Sequence, residues 1–136
     1  MYKSRIVLIC LVKLFCLMTA FSFAGCRPAK PAEDPSVWQK VHIHFKNIDE
    51  NGLSGPSDGK VAVNYEFCLP QVEKYWKAVR RIDPSAQKQP AGKGRIGCTS
   101  QQWLIIGSTH QPRYQRVLYE LASLPYVTRI EETFWE

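Results

Sequence analysis

Two stretches of this chain repeat one local order: strand-forming residues, a proline, a segment at helical spacing, a second proline, and strand-forming residues again. "VAVNYEFC", 61–68, leads to Pro70, after which Val72, Tyr75, Trp76, Val79 and Ile82 recur at helical spacing until Pro84. Proline suits a first helical turn, where no backbone N–H is needed, and stops a helix when it follows one. The second round has Tyr114, Val117, Leu118, Leu121 and Ala122 at helical spacing between Pro112 and Pro125, then "YVTRIEETFW" as a last strand. The bracketing prolines stand 14 residues apart in the first round and 13 in the second. Few folds accommodate such a repeat.

Between the two helices, "RIGCTSQQWLIIGS" reads as a hairpin. Its later strand, Trp103, Leu104, Ile105 and Ile106, is apolar on both faces and is therefore expected in the middle of a sheet. Within 61–68, Val61, Val63, Tyr65 and Phe67 are expected to point inward. From Val61 onward the order is β-α-β-β-α-β, the split βαβ or ferredoxin-like arrangement of an α+β protein. An extra strand precedes it in "KVHIHFK", where Val41, Ile43 and Phe45 alternate with His42 and His44. About 100 residues, 37–136, suffice for one domain with one core.

The first 25 residues have a different character. Lys3 and Arg5 precede an apolar run at 14–24, and no acid occurs before Glu33, which is the layout of a secretory signal peptide. Lys13 lies near the middle of the apolar stretch 6–24 and argues against a permanent membrane helix, the competing reading. Ala24 and Gly25 directly before Cys26 resemble the lipobox of bacterial lipoproteins, although Phe23 stands where leucine is usual. An ordinary signal-peptidase cut near Ala24 is the alternative.

The resemblance implies a diacylglycerol on the Cys26 sulfur, cleavage just before it, and anchorage in a lipid bilayer of the cell envelope. Arg27, rather than aspartate, at the next position implies the outer membrane. Two or more acyl chains hold a protein stably where one holds it marginally, since each buried methylene contributes about 0.8 kcal/mol. The proline-rich stretch 26–36 then reads as an extended tether.

Composition is read after removing the leader. The whole chain has 18 Lys and Arg against 12 Asp and Glu, and losing Lys3, Arg5 and Lys13 leaves 15 against 12, a net +3. So modest a charge, in a protein addressed to the envelope, argues against nucleic acid as a partner. Cys10 and Cys16 leave with the leader and Cys26 takes lipid, so Cys68 and Cys98 remain as a pair for a disulfide in an oxidising compartment. Two buried thiols, or one reactive thiol, are the competing readings.

Candidate chemistry is sparse. Cys98 with His110 would make a nucleophile and base if the thiol were free. His42 and His44, expected on one strand face, could hold zinc or copper, but Lys40 and Lys46 in the same alternation favour a merely polar face. The loop 49–60 lacks the acidic spacing of a calcium loop. No phosphate loop, zinc-protease helix, carboxylate pair or serine elbow is present, so neither an enzyme nor a cofactor is expected.

One charge asymmetry stands out. From Pro70 to Arg116 there are nine basic residues against two acids, Glu73 and Asp83. Lys74, Lys77 and Arg81 fall on one helix face, with Lys93 and Arg95 in the following segment, and together they form the candidate anion-binding set. The expected partner is an acidic glycan or another envelope protein; a plain solvated helix surface is the bland alternative.

Overall fold

The computed structural model describes residues 32–133. The leader 1–25, Cys26 and the first part of the tether lie outside them, as do residues 134–136. In chain order the elements are α1 (Pro35–Trp38), β1 (Val41–His42), a 3₁₀ turn (Phe45–Asn47), β2 (Leu53–Ser54), β3 (Val61–Ala62), β4 (Asn64–Pro70), α2 (Glu73–Ile82), β5 (Gln87–Gln89), β6 (Gln102–Ser108), α3 (Tyr114–Ser123) and β7 (Ile130–Thr133). The class is α+β. Five strands form one sheet in the order β1-β7-β4-β6-β5, and β2 pairs with β3 in a separate ribbon. β1 runs parallel to β7, and the other pairs in the five-stranded sheet are antiparallel.

The two longest strands lie where their composition places them. β4 and β6 pair along seven residues, Asn64 against Ser108 to Pro70 against Gln102. Tyr65, Phe67 and Leu69 are fully buried on the face of β4 that meets the helices, and Ile105 of β6 lies opposite Phe67. Val79 of α2 and Leu118 and Leu121 of α3 close this core from above. Fully burying a side chain of this size stabilises the fold by roughly 1.5–3 kcal/mol.

The other sheet face is covered without a helix. Residues 90–101 cross it as a long loop in which Cys98 is joined to Cys68 of β4, with Cα atoms 5.4 Å apart. The Ile96 amide donates to the Glu66 carboxylate at 2.7 Å, which accounts for an acidic side chain only 4% exposed. Gly94 has φ +61°, and a Cβ there would fall 2.7 Å from Leu104 Cδ1 and 2.8 Å from Glu66 Oε2. Only glycine lets the loop lie so close to the sheet.

Several expectations need correction. Pro70 ends β4 rather than opening α2: the ladder continues past it through Gln71 N to Gln101 O at 3.1 Å, and the helix begins three residues later at Glu73. A proline is tolerated at a strand end because its missing donor is not needed there. The first strand of the hairpin is Gln87–Gln89, not the segment around Arg95–Cys98, since Gly92, Gly94 and Gly97 and the bond to Cys68 make that segment a loop.

Val61 is 64% exposed because β3 leaves the main sheet to pair with β2. That ribbon is held by Thr109, whose hydroxyl donates to Gly52 O at 2.6 Å and accepts from Val63 N at 3.1 Å. β1 is two residues long, and Phe45 begins the 3₁₀ turn with its amide bonded to Ile43 O at 3.0 Å. Val41 and Ile43 are buried as their alternation predicts. The compact unit that holds the sheet begins at Glu33, and Asp34 caps α1 by accepting from Ser36 N at 2.8 Å. Among the described residues no helix is long and apolar enough to cross a membrane.

Candidate anion-binding surface

α2 reads EKYWKAVRRI and divides cleanly. Val79 is buried, Tyr75, Trp76 and Ile82 pack against the core, and Lys74, Lys77 and Arg81 face outward one and two turns apart. Among the described residues none of these three cations has an ion-pair partner. Arg80 turns back to the end of its own helix, donating to the carbonyls of Pro84 and, at 2.8 Å, of Ala86. A guanidinium at a helix C-terminus also meets the negative end of the helix dipole.

Glu73, the only acid on α2, is engaged by Lys88 at 3.3 Å. Lys88 reaches it from β5, with its ammonium 3.6 Å from the Trp103 ring centroid and 5.0 Å from that of Trp76. Each such cation–π contact contributes about 0.5–2 kcal/mol, depending on exposure. The α2 surface thus carries two half-buried tryptophans beside Lys88 and Arg80, and the one acid of α2, Glu73, is already paired, while Asp34 and Glu120 lie beyond it towards α1 and on α3.

Lys93 and Arg95 belong elsewhere. They ride on the disulfide loop, whose residues touch Glu66, Cys68 and Leu104 on the face away from α2. The structure therefore splits the expected set: Lys74, Lys77 and Arg81 share one surface, while Lys93 and Arg95 lie on the opposite side of the sheet.

The histidines are also separated. His42 Nδ1 lies 2.7 Å from Glu131 Oε1, and His44 Nδ1 lies 3.1 Å from Glu132 Oε2. Glu131 and Glu132 are consecutive in β7, so their side chains leave opposite faces and the two imidazoles diverge with them. Among the described residues no three His, Cys, Asp or Glu side chains converge as metal ligands would. Lys40, expected on the polar face of the first strand, instead donates to Ala122 O at 2.9 Å and Val127 O at 3.0 Å, capping the end of α3.

Cys98 has no thiolate to offer, because its sulfur is bonded to Cys68. His110 lies near the Asn51 carbonyl at 3.2 Å, and it follows Leu104, the cross-strand neighbour of Cys68, by six residues. The four strand steps from Leu104 to the end of β6 at Ser108 already span about 13 Å, and His110 lies beyond them, so this histidine is no base for that sulfur.

Sequence reading missed a buried polar cluster. Asp83 is completely buried at the end of α2 and accepts from Tyr65 Oη at 2.7 Å, from the Ser85 amide and hydroxyl at 2.8 and 2.6 Å, and from Gln111 Nε2 at 3.0 Å. Burial, with the neighbouring Asp83 carboxylate, pushes the Tyr65 phenol well above the usual tyrosine range. "DPS" at 83–85 carried a signal for the local turn, since aspartate often bonds to the backbone two residues on. Nothing local pointed to Tyr65 or Gln111. The cluster ties α2, β4 and the turn before α3 together, with Tyr65 and Asp83 fully buried and Ser85 and Gln111 partly so.

Comparison of the chain with known protein families, with curated proteins and with solved structures finds no match.

Proposed function

We propose that this chain is a non-catalytic lipoprotein of the bacterial cell envelope. In this reading 1–25 is a signal peptide, acylated Cys26 is the anchor, the proline-rich stretch after it is the tether, and the α+β domain binds an anionic component of the envelope. The observation that carries the binding role is the outer face of α2, where Lys74, Lys77 and Arg81 stand without acidic partners among the described residues. Uncompensated charge of one sign on a rigid helix attracts a partner of the other sign and speeds encounter with it. The Cys68–Cys98 bond supports the absence of thiol chemistry and suits an oxidising compartment.

The ferredoxin-like reading of the domain belongs here too. It draws support from the antiparallel order β7-β4-β6-β5, with α2 following β4 and α3 following β6; β1 is then the additional strand.

Mass spectrometry of the N-terminus isolated from cells tests the anchor: a diacylglyceryl mass on Cys26 is the expected result, and an unmodified thiol or a retained leader overturns it. Crosslinking in intact cells tests the surface. The unaltered chain is expected to crosslink to an anionic component of the envelope to which a Lys74→Glu/Lys77→Glu/Arg81→Glu chain does not, and equal crosslinking by both overturns the assignment to α2.

A further inference from the structure

We infer that the helical layer of the domain docks on the anionic headgroups of the bilayer that holds Cys26, with α2 as the contacting element; this rests on the lipid anchorage proposed above. The point where the chain joins the domain sets the side. The Asp34 amide donates to Tyr119 Oη of α3 at 2.7 Å, and Trp38 of α1 lies against the Tyr119 ring at 5.6 Å between centroids. α3 and α2 touch each other and bury their apolar faces in the same core. The tether thus leaves from the side of the sheet that carries α2.

The length of the leash matters as much. Asp34 stands eight positions after Cys26, which is about 25 Å when extended at about 3.1 Å per residue. A domain held so closely by its helical side keeps that side toward the headgroups.

The chemistry of the surface fits a lipid leaflet better than a single small anion. Lys74, Lys77 and Arg81 stand in a row on a convex helix, so their cationic ends spread over an area, whereas a small anion needs donors converging on one point. An extended array of phosphates meets such a row at several places. Trp76 and Trp103, half-buried against the core with Lys88 over both rings, are of the residue type enriched at the boundary between bilayer and water. Lys93, on the opposite side of the sheet, would face away from the leaflet.

The test uses the full chain in vesicles of phosphatidylethanolamine and phosphatidylglycerol, part of the latter brominated high on its acyl chains to quench nearby indoles. Flotation with the vesicles reads anchorage, and tryptophan quenching reads docking. Expected are flotation insensitive to salt and quenching that disappears near 1 M salt, where the screening length is about 3 Å. Neutralising a cation near an anionic leaflet lowers the docked fraction about fivefold, which is about 1 kcal/mol. Lys74→Gln/Lys77→Gln/Arg81→Gln therefore lowers the docked-to-undocked ratio about a hundredfold, and Lys93→Gln leaves it unchanged. Vesicles of phosphatidylcholine alone, brominated to the same extent, should float the chain without quenching it.

Flotation without salt-sensitive quenching overturns the docking and leaves the anchor standing. Loss of flotation at high salt overturns the anchorage and the docking with it. Undocking by soluble polygalacturonate at matched charge, as complete as that caused by salt, would show that polyanions in general are bound and overturn the lipid assignment.

Discussion

The hydroxyl of Tyr65, in the middle of the sheet, donates at 2.7 Å to the carboxylate of Asp83, which is fully buried at the end of α2. The two residues are 18 apart in sequence and join the central strand to the helix that carries the basic face. The bond therefore holds α2 at a fixed height over the sheet, and the position of Lys74, Lys77 and Arg81 follows from it.

Tyr65→Phe should destabilise the domain by about 1–2 kcal/mol, because Asp83 loses one donor while Ser85 and Gln111 remain. Asp83→Ala should cost more, about 3 kcal/mol, since four donor groups, from Tyr65, Ser85 and Gln111, lose their acceptor at a fully buried carboxylate. Thermal denaturation measures both: about 4–8 °C is lost per kcal/mol in a domain of this size, and an unchanged midpoint for either variant sinks this account of the cluster.

The same phenol makes stability depend on alkaline pH. Its pKa is raised in the folded state by burial and by Asp83, so above the unfolded tyrosine value of about 10 the unfolded chain releases this proton first. The contribution is fully present below about pH 10 and is lost as pH rises toward the folded value, at up to about 1.4 kcal/mol per pH unit. Denaturant titrations at stepped pH should show this fall, and Tyr65→Phe should flatten it. A slope identical in the variant counts against the assignment.

Reducing the Cys68–Cys98 bond, which closes a separation of 30 residues, should lower stability by about 3–4 kcal/mol on the chain-entropy account. In the middle of loop 90–101 the other holds include the Ile96 bond to Glu66 and the Arg129 bond to Ile96 O, while Gln71 bonds the Ser100 and Gln101 carbonyls at its end. Hydrogen exchange should therefore rise first in that loop of the Cys68→Ser/Cys98→Ser chain, while β4 and β6 stay protected under native conditions. Unchanged exchange across 90–101 is the contrary result.

Gly94 and Gly97 separate space from backbone strain. Both have positive φ, 61° and 78°, but a Cβ at Gly94 meets Leu104 and Glu66, whereas none of the structure lies within 4 Å of one at Gly97. Alanine at 97 should cost about 1–2 kcal/mol from the left-handed conformation alone. Alanine at 94 should cost clearly more, by the 1–3 kcal/mol typical of overpacking. Equal midpoints for the two variants would contradict the close approach of the loop to the sheet.

Lys74→Gln/Lys77→Gln/Arg81→Gln should leave stability within about 0.5 kcal/mol, as exposed substitutions without partners do. A larger change on chemical denaturation would mean that these cations hold the fold as well as presenting charge.

The helices and the two long strands were legible because their signals are local. Val79, Leu118 and Leu121 recur at helical spacing, and the apolar run at 103–106 marked β6 as an interior strand, which the order β4-β6-β5 bears out. Boundaries failed where one residue served two structures: Pro70, suited to a helix start, also suits the end of a ladder. The loop 90–101 was misread as strand because "RIGC" satisfies short-range strand preference, and only the glycines packed on Leu104 and the bond to Cys68 keep it out of the ladder.

By itself the sequence determined which segments are amphipathic, that Cys68 and Cys98 were available to each other, and that basic residues crowd the stretch from Pro70 to Arg116. Only the tertiary structure decided that the two sulfurs meet, that Lys93 and Arg95 lie across the sheet from Lys74, Lys77 and Arg81, and that His42 and His44 turn to different glutamates. The reason is the range of the forces involved. Periodicity and turn preference act over a few residues, whereas the face on which a side chain ends is set by which distant strands become neighbours and by the path of the loops between them.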